Sequence, residues 1–116
     1  MQKMCVIGAG SWGSALALSL YKNNHKVFMW TRDIEQVEEI RTTKINSKFL
    51  PGIVFPKDLI VSNDLEEVIL DSEIIVLAVP SQAVRSVCKQ IKPYVKDNQI
   101  LVDVAKGLEK GTGLRL

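Results

Sequence analysis

Three glycines, Gly8, Gly10 and Gly13, stand in the pattern Gly-x-Gly-x-x-Gly between the apolar run Met4-Cys5-Val6-Ile7 and the run Ser14-Ala15-Leu16-Ala17. Strand, glycine turn and helix in that order suit a diphosphate. Gly8 permits a tight turn, Gly10 lets the backbone come close to a ligand, and Gly13 lets helix and strand pack together. The free N–H groups at the helix start, with the positive end of its dipole, then face the phosphates. Ser11 adds a hydroxyl donor. Trp12 offers its backbone N–H, while its ring is expected in the core.

Two further segments would meet the rest of a dinucleotide. The sequence Trp30-Thr31-Arg32-Asp33 follows a second apolar run. The guanidinium of Arg32 suits a 2′-phosphate and can stack on adenine, which leans toward NADP. Asp33 suits the ribose hydroxyls of NAD, or else serves only to cap the helix that follows. Lys106 lies between Ala105 and Gly107. At the end of a fifth strand, beside a nicotinamide, its ammonium could pair with an anionic substrate or polarise a hydroxyl. No His, Cys, Asp or Glu cluster has metal-ligand spacing. The single histidine, His25, falls in a turn opposite the ligand edge and reads as a surface residue, so no Ser-His-Asp set can be drawn.

These residues need elements to carry them, and the chain alternates strand and helix. Strands are expected at residues 3–8, 26–30, 59–62, 73–79 and 99–105. A helix at 11–22 is apolar nearly all round and so expected to be largely buried. Asp33 caps a second helix in which Ile34, Val37 and Ile40 recur at helical spacing. Residues 42–58 lose periodicity and carry the turn-rich stretch Asn46-Ser47-Lys48-Phe49-Leu50-Pro51-Gly52. A short helix at 64–70 follows. The run Ile74-Ile75-Val76-Leu77-Ala78-Val79 reads as a buried parallel strand stopped by Pro80. Ser81 is expected to cap the next helix, with Val84, Val87, Cys88 and Ile91 as its apolar stripe and Pro93 at its end.

Such alternation implies an α/β, doubly wound, mainly parallel sheet with helices on both faces. Ligands bind such sheets at the carboxyl ends of the strands. Here those ends are residues 8–13, 31–33, 79–81 and 105–107, four segments on one edge.

Composition narrows the partners. A chain of 116 residues is one domain, and 47% hydrophobic with 24% charged residues is ordinary globular content. A net charge of +2 gives no reason to invoke nucleic acid or a membrane surface. No apolar run reaches membrane-spanning length, and the first residues lack a signal peptide's apolar stretch. Cys5 and Cys88 read as core residues in a reducing compartment, with the cytoplasm as the expected location.

The motifs Gly-Ala-Gly-Ser-Trp-Gly at 8–13, Trp-Thr-Arg-Asp at 30–33, Asn-Ser-Lys-Phe-Leu-Pro-Gly at 46–52, Val-Pro-Ser at 79–81 and Ala-Lys-Gly-Leu-Glu at 105–109 together resemble NAD(P)-dependent glycerol-3-phosphate dehydrogenase of the bacterial type. The resemblance runs in order over essentially the whole chain. It implies a Rossmann-type fold and reversible hydride transfer between dihydroxyacetone phosphate and sn-glycerol 3-phosphate, feeding phospholipid synthesis. By that similarity Ser11 and Trp12 meet the cofactor's diphosphate region, Arg32 and Asp33 its adenosine end, and Phe49 lies against it. Lys106 matches the family lysine that contacts both cofactor and substrate.

The chain departs from the family in two places. Ala105 stands where the family usually has Thr or Ser. The catalytic lysine and most substrate-phosphate ligands lie, by the same resemblance, in a helical C-terminal domain beyond Leu116. The expectation is therefore one NAD(P)-binding domain over residues 1–116, without catalytic residues of its own, cut from a longer protein for which a homodimer is the expected assembly. Two other readings stand beside it. One is the cofactor domain of a hydroxyacid, sugar-nucleotide or imine dehydrogenase; the other is a non-enzymatic nucleotide-sensing module.

Overall fold

The computed structural model describes residues 2–104. Five strands, β1 (Lys3–Ile7), β2 (Lys26–Trp30), β3 (Ile60–Ser62), β4 (Ile74–Leu77) and β5 (Ile100–Asp103), form one sheet in the order β3-β2-β1-β4-β5. Every pairing is parallel. The helices between them are α1 (Ser11–Lys22), α2 (Ile34–Thr43), α3 (Leu65–Ile69) and α4 (Val84–Ile91).

The sheet is apolar on both sides because alternate residues of each strand serve different cores. Val6, Val27, Met29 and Val76 point to one layer, where Ala17 of α1 and Val37 and Ile40 of α2 cover them. Cys5, Ile7, Trp30, Ile75 and Leu77 point to the other, covered by Val68 and Ile69 of α3 and Val87 and Ile91 of α4. Helices therefore lie on both faces, as the alternation of elements implies.

Asp33 and Asp64 cap α2 and α3, each accepting from two backbone N–H groups through its side chain. At the start of β1, Lys3 lies at the end of the sheet away from the glycine loop. Its ammonium lies 4.1 Å from the centre of the Phe28 ring and donates to the Glu67 and Leu70 carbonyls at the end of α3.

Several expectations need correcting. Helix α1 is not largely buried: only Gly13, Ser14 and Ala17 are, and Trp12 is 46% exposed. The helix meets the sheet through its smallest residues, so its backbone comes close, while Leu16, Leu18, Leu20 and Tyr21 pack only partly buried against the same core. Ile34 is also exposed, leaving Val37 and Ile40 as the buried face of α2. Ser81 does not cap a helix. Ser81–Ala83 forms a 3₁₀ turn with no side-chain cap, and α4 begins only at Val84. His25 is partly buried rather than a free surface residue, although it does lie at the end of the sheet away from the glycine loop. In the aperiodic segment the buried apolar anchor is Phe55, held by its N–H to the Lys44 carbonyl at 2.6 Å.

Candidate functional site

The glycine loop leaves β1 between the ends of its two neighbours. Gly8 donates to the Trp30 carbonyl at 2.8 Å, and Ala78 donates to Ile7 at 2.9 Å. Gly8 has φ +125°, and a methyl group there would lie 2.5 Å from the Ala78 oxygen. Glycine is needed at this position for both reasons. Gly13 is needed for packing, since a Cβ would stand 2.1 Å from the Gly8 oxygen. Gly10 is different: a Cβ there would meet nothing within 4 Å. The space over Gly10 opens into the cleft. The first bond of α1 runs from Ser14 N–H to the Gly10 carbonyl, so the N–H groups of Ser11, Trp12 and Gly13 have no partner one turn back.

The loop is held from behind by a buried polar network. The Ala9 carbonyl accepts from Gln36 Nε2 at 2.7 Å, Asn46 Nδ2 at 2.9 Å and Ser14 Oγ at 3.3 Å. Asn46 and Ser14 are completely buried. Thr31 Oγ1 donates to Gln36 Oε1 at 2.8 Å, joining the end of β2 to the same cluster. Sequence reasoning missed Gln36, Ser14 and Thr31 and took Asn46 only as a turn residue. Their partners come from α1, α2, β2 and the segment after α2, which no local pattern brings together.

The cleft has a volume of about 530 Å³, within the usual range for small-molecule sites. Gly8, Ala9 and Gly10 form its floor, Trp30, Thr31 and Arg32 one side, and Ala78, Val79 and Pro80 the other. Gln82, Ser86 and Gln90 add a polar row from the 3₁₀ turn and α4, and Phe49 lines the opposite rim. Arg32 is the one charged residue in this lining among the described residues. Trp30 Nε1 is the one buried side-chain polar atom among them without a hydrogen-bond partner.

The expected site residues are brought together unevenly. Gly8, Gly10, Arg32 and Phe49 line the cleft. Gly13 supports it from the first turn of α1. Ser11 directs its hydroxyl to the Phe49 carbonyl at 2.8 Å, which ties the Phe-Leu-Pro-Gly segment to the start of α1. The Trp12 ring faces outward. Asp33 lies outside the cleft lining, and its Oδ1 accepts from Glu35 N–H at 3.0 Å and from Gln36 N–H at 3.4 Å. Lys106, with Ala105 and Gly107, lies outside the described residues.

The residues present fit a dinucleotide. The loop over which a diphosphate would lie has no side chain at Gly10, and the single charge of the lining is positive. Perturbed acidities lie elsewhere: burial pushes the Cys5 thiol up to about 11, raises that of Cys88 and lowers Lys3. Both cysteines are free thiols. Among the described residues no group of His, Cys, Asp and Glu could hold a metal ion, and no helix is long and apolar enough to cross a membrane.

Comparison with known proteins gives a consistent picture. The family model for the NAD-dependent glycerol-3-phosphate dehydrogenase N-terminus matches residues 3–116. A curated glycerol-3-phosphate dehydrogenase of Fusobacterium nucleatum, named for NAD(P)+, is 48% identical over 112 residues, covering 97% of this chain and 33% of that protein. Its counterpart from Carboxydothermus hydrogenoformans is 45% identical over 114 residues, covering 98% and 34%. The crystal structure of glycerol-3-phosphate dehydrogenase from Coxiella burnetii superposes with a TM-score of 0.83 at 31% identity, over 88% of this chain and 31% of that one. The chain thus spans about a third of the length of the curated relatives it matches.

Proposed function

This chain belongs to the NAD-dependent glycerol-3-phosphate dehydrogenase family, and from that premise we propose that its cleft binds the dinucleotide with which the whole protein interconverts dihydroxyacetone phosphate and sn-glycerol 3-phosphate. The observation that carries the proposal is the loop from Gly8 to Gly13. It is built without side chains where a diphosphate must approach, and it opens into a cleft of about 530 Å³.

The bound cofactor supplies the hydride, and the residues of this chain bind and orient it. The N–H groups at the start of α1 meet the diphosphate, and Ser11 and Trp12 contribute their backbone donors there. Arg32 faces the adenosine end and favours NADP by pairing with a 2′-phosphate, a charge-assisted contact. Asp33 acts first as the cap of α2, which holds the Arg32 segment in place. Phe49 covers the cofactor from the rim. Lys106 meets both cofactor and substrate, pairing its ammonium with the anionic substrate. Groups outside this chain complete the catalysis. The product would feed phospholipid synthesis in the cytoplasm, and the whole protein would act as a homodimer.

The test uses the intact protein that carries this chain. Calorimetric titration with NADPH and NADH should give saturable binding, and dihydroxyacetone phosphate should drive loss of reduced-nicotinamide absorbance. A folded protein that binds neither dinucleotide would overturn the proposal.

A further inference from the structure

We infer that Asn46 is a positioning residue for the cofactor: through the Ala9 carbonyl it sets the peptide plane that turns the Gly10 N–H toward the diphosphate. This rests on the reading that the cleft takes a dinucleotide. In a trans peptide the C=O and the following N–H point in opposite directions. The Ala9 oxygen faces Asn46 Nδ2, Gln36 Nε2 and Ser14 Oγ, on the buried side of the loop. The Gly10 N–H therefore faces away from that cluster, and no described residue accepts from it. Gly10 itself lines the cleft.

The orientation of the Asn46 amide is dictated by its neighbours. Its Oδ1 accepts from Gln36 Nε2 at 3.2 Å, and its Nδ2 donates a second bond to Ser14 Oγ at 2.9 Å. A flipped amide would set oxygen against the Ala9 oxygen and nitrogen against nitrogen. Burying an amide is unfavourable unless its hydrogen bonds are all made, and here they are made onto the one carbonyl that controls Gly10. The main chain of Asn46 has a second task. Its carbonyl accepts from Leu50 N–H at 2.8 Å and Phe49 N–H at 3.3 Å, forming the turn that brings Phe49 to the rim. One residue thus sets both the floor and the rim of the cleft.

The experiment compares N46D with the parent in the intact protein. The carboxylate is nearly isosteric but has no N–H to give to Ala9. Titrations use NADH, NADPH and ADP-ribose, which share the diphosphate, and adenosine 2′-monophosphate, which lacks it. N46D should weaken the first three by a similar factor of about tenfold and leave the fourth unchanged. Thermal melts give the folded fraction in each sample. Ser14→Ala, which removes one of the three donors, should show the same selectivity at smaller size and decides the matter if N46D does not fold. Parent-like affinity for NADH, or an equal loss for all four ligands, would overturn the inference. Failure of the unmodified protein to bind NADH would instead remove the reading of the cleft itself, together with any role in it.

Discussion

One added methyl group at Gly10 or at Gly13 should have opposite consequences, although both sites belong to the same glycine loop. At Gly13 the new Cβ lies 2.1 Å from the Gly8 oxygen and 3.0 Å from its carbon. Non-bonded carbon contacts need about 3.5 Å, so α1 must retreat from the sheet by roughly 1 Å. Neither partner is a flexible side chain; both are backbone. Overpacking typically costs about 1–3 kcal/mol, and a backbone clash belongs at the upper end, a large part of a domain stability of about 5–15 kcal/mol. At Gly10 the backbone angles, φ −76° and ψ −168°, suit any residue, and the methyl meets open space. Alanine is a poorer helix cap by about 0.5–1 kcal/mol, and the lower entropy of its unfolded chain returns about 0.4–1 kcal/mol. Stability should therefore stay within about 1 kcal/mol of the parent. The same methyl stands over the open face proposed for the diphosphate, so NADH affinity should fall at least about tenfold, or about 1.4 kcal/mol. Urea denaturation gives the first quantity and calorimetric titration of the intact protein the second. If Gly10→Ala unfolds like Gly13→Ala, or binds NADH like the parent, the assignment of the open face of the loop to the cofactor is refuted.

Three further outcomes follow from other parts of the molecule. Arg32→Ala should weaken NADPH more than NADH by about 1.5–3 kcal/mol, one to two decades in affinity; equal losses in parallel titrations would reject the 2′-phosphate contact. Asp33→Ala should lose about 1 kcal/mol of stability through the cap of α2, and Asp33→Asn should retain most of it; unchanged denaturation midpoints in the alanine variant would remove the cap. Burial raises the Cys5 thiol from 9.0 to about 11, so the folded state holds that proton more tightly than the unfolded one. The resulting stability, roughly 2–3 kcal/mol, is fully present below pH 9 and is lost as pH climbs toward 11. Cys5→Ala should flatten that alkaline decline relative to the parent in urea melts on either side of the window.

The layout of strands and helices was largely legible because each strand is apolar on both faces and each turn is marked by Gly, Asn, Asp or Pro. The glycine loop was legible because Gly8 and Gly13 stand where a side chain would clash with backbone and Gly10 where the loop opens into the cleft. The exposure of α1 was not legible. Composition counted its large residues, whereas packing is decided by Gly13, Ser14 and Ala17, whose small size brings the helix against the sheet. The Ser81 cap failed because the chain makes a 3₁₀ turn after Pro80 before α4 begins. The polar network behind the loop was hidden for a different reason. A buried asparagine looks like any turn asparagine until Ala9, Ser14 and Gln36 are known to surround it, and those contacts span up to 37 positions of sequence. Phe55 escaped notice likewise, since a single aromatic in an aperiodic stretch gives no period to read.

The order of strands in the sheet also sets how far apart in sequence the two sides of the cleft lie. Met4 pairs with Val27 on one side of β1 and with Ile74 on the other, so the second closure spans roughly three times as much chain. Loop-closure entropy rises with the logarithm of length, which makes that closure costlier by about 1 kcal/mol. The half of the sheet that carries the glycine loop and Arg32 is thus closed by the shorter connection, and β4 with Ala78, Val79 and Pro80 by the longer. The wall facing the loop comes from the far side of β1, and the cleft is complete only with β4 in place. A dinucleotide bound in the cleft would touch both sides of β1 at once, and its binding would favour the long-range pairing of β1 with β4.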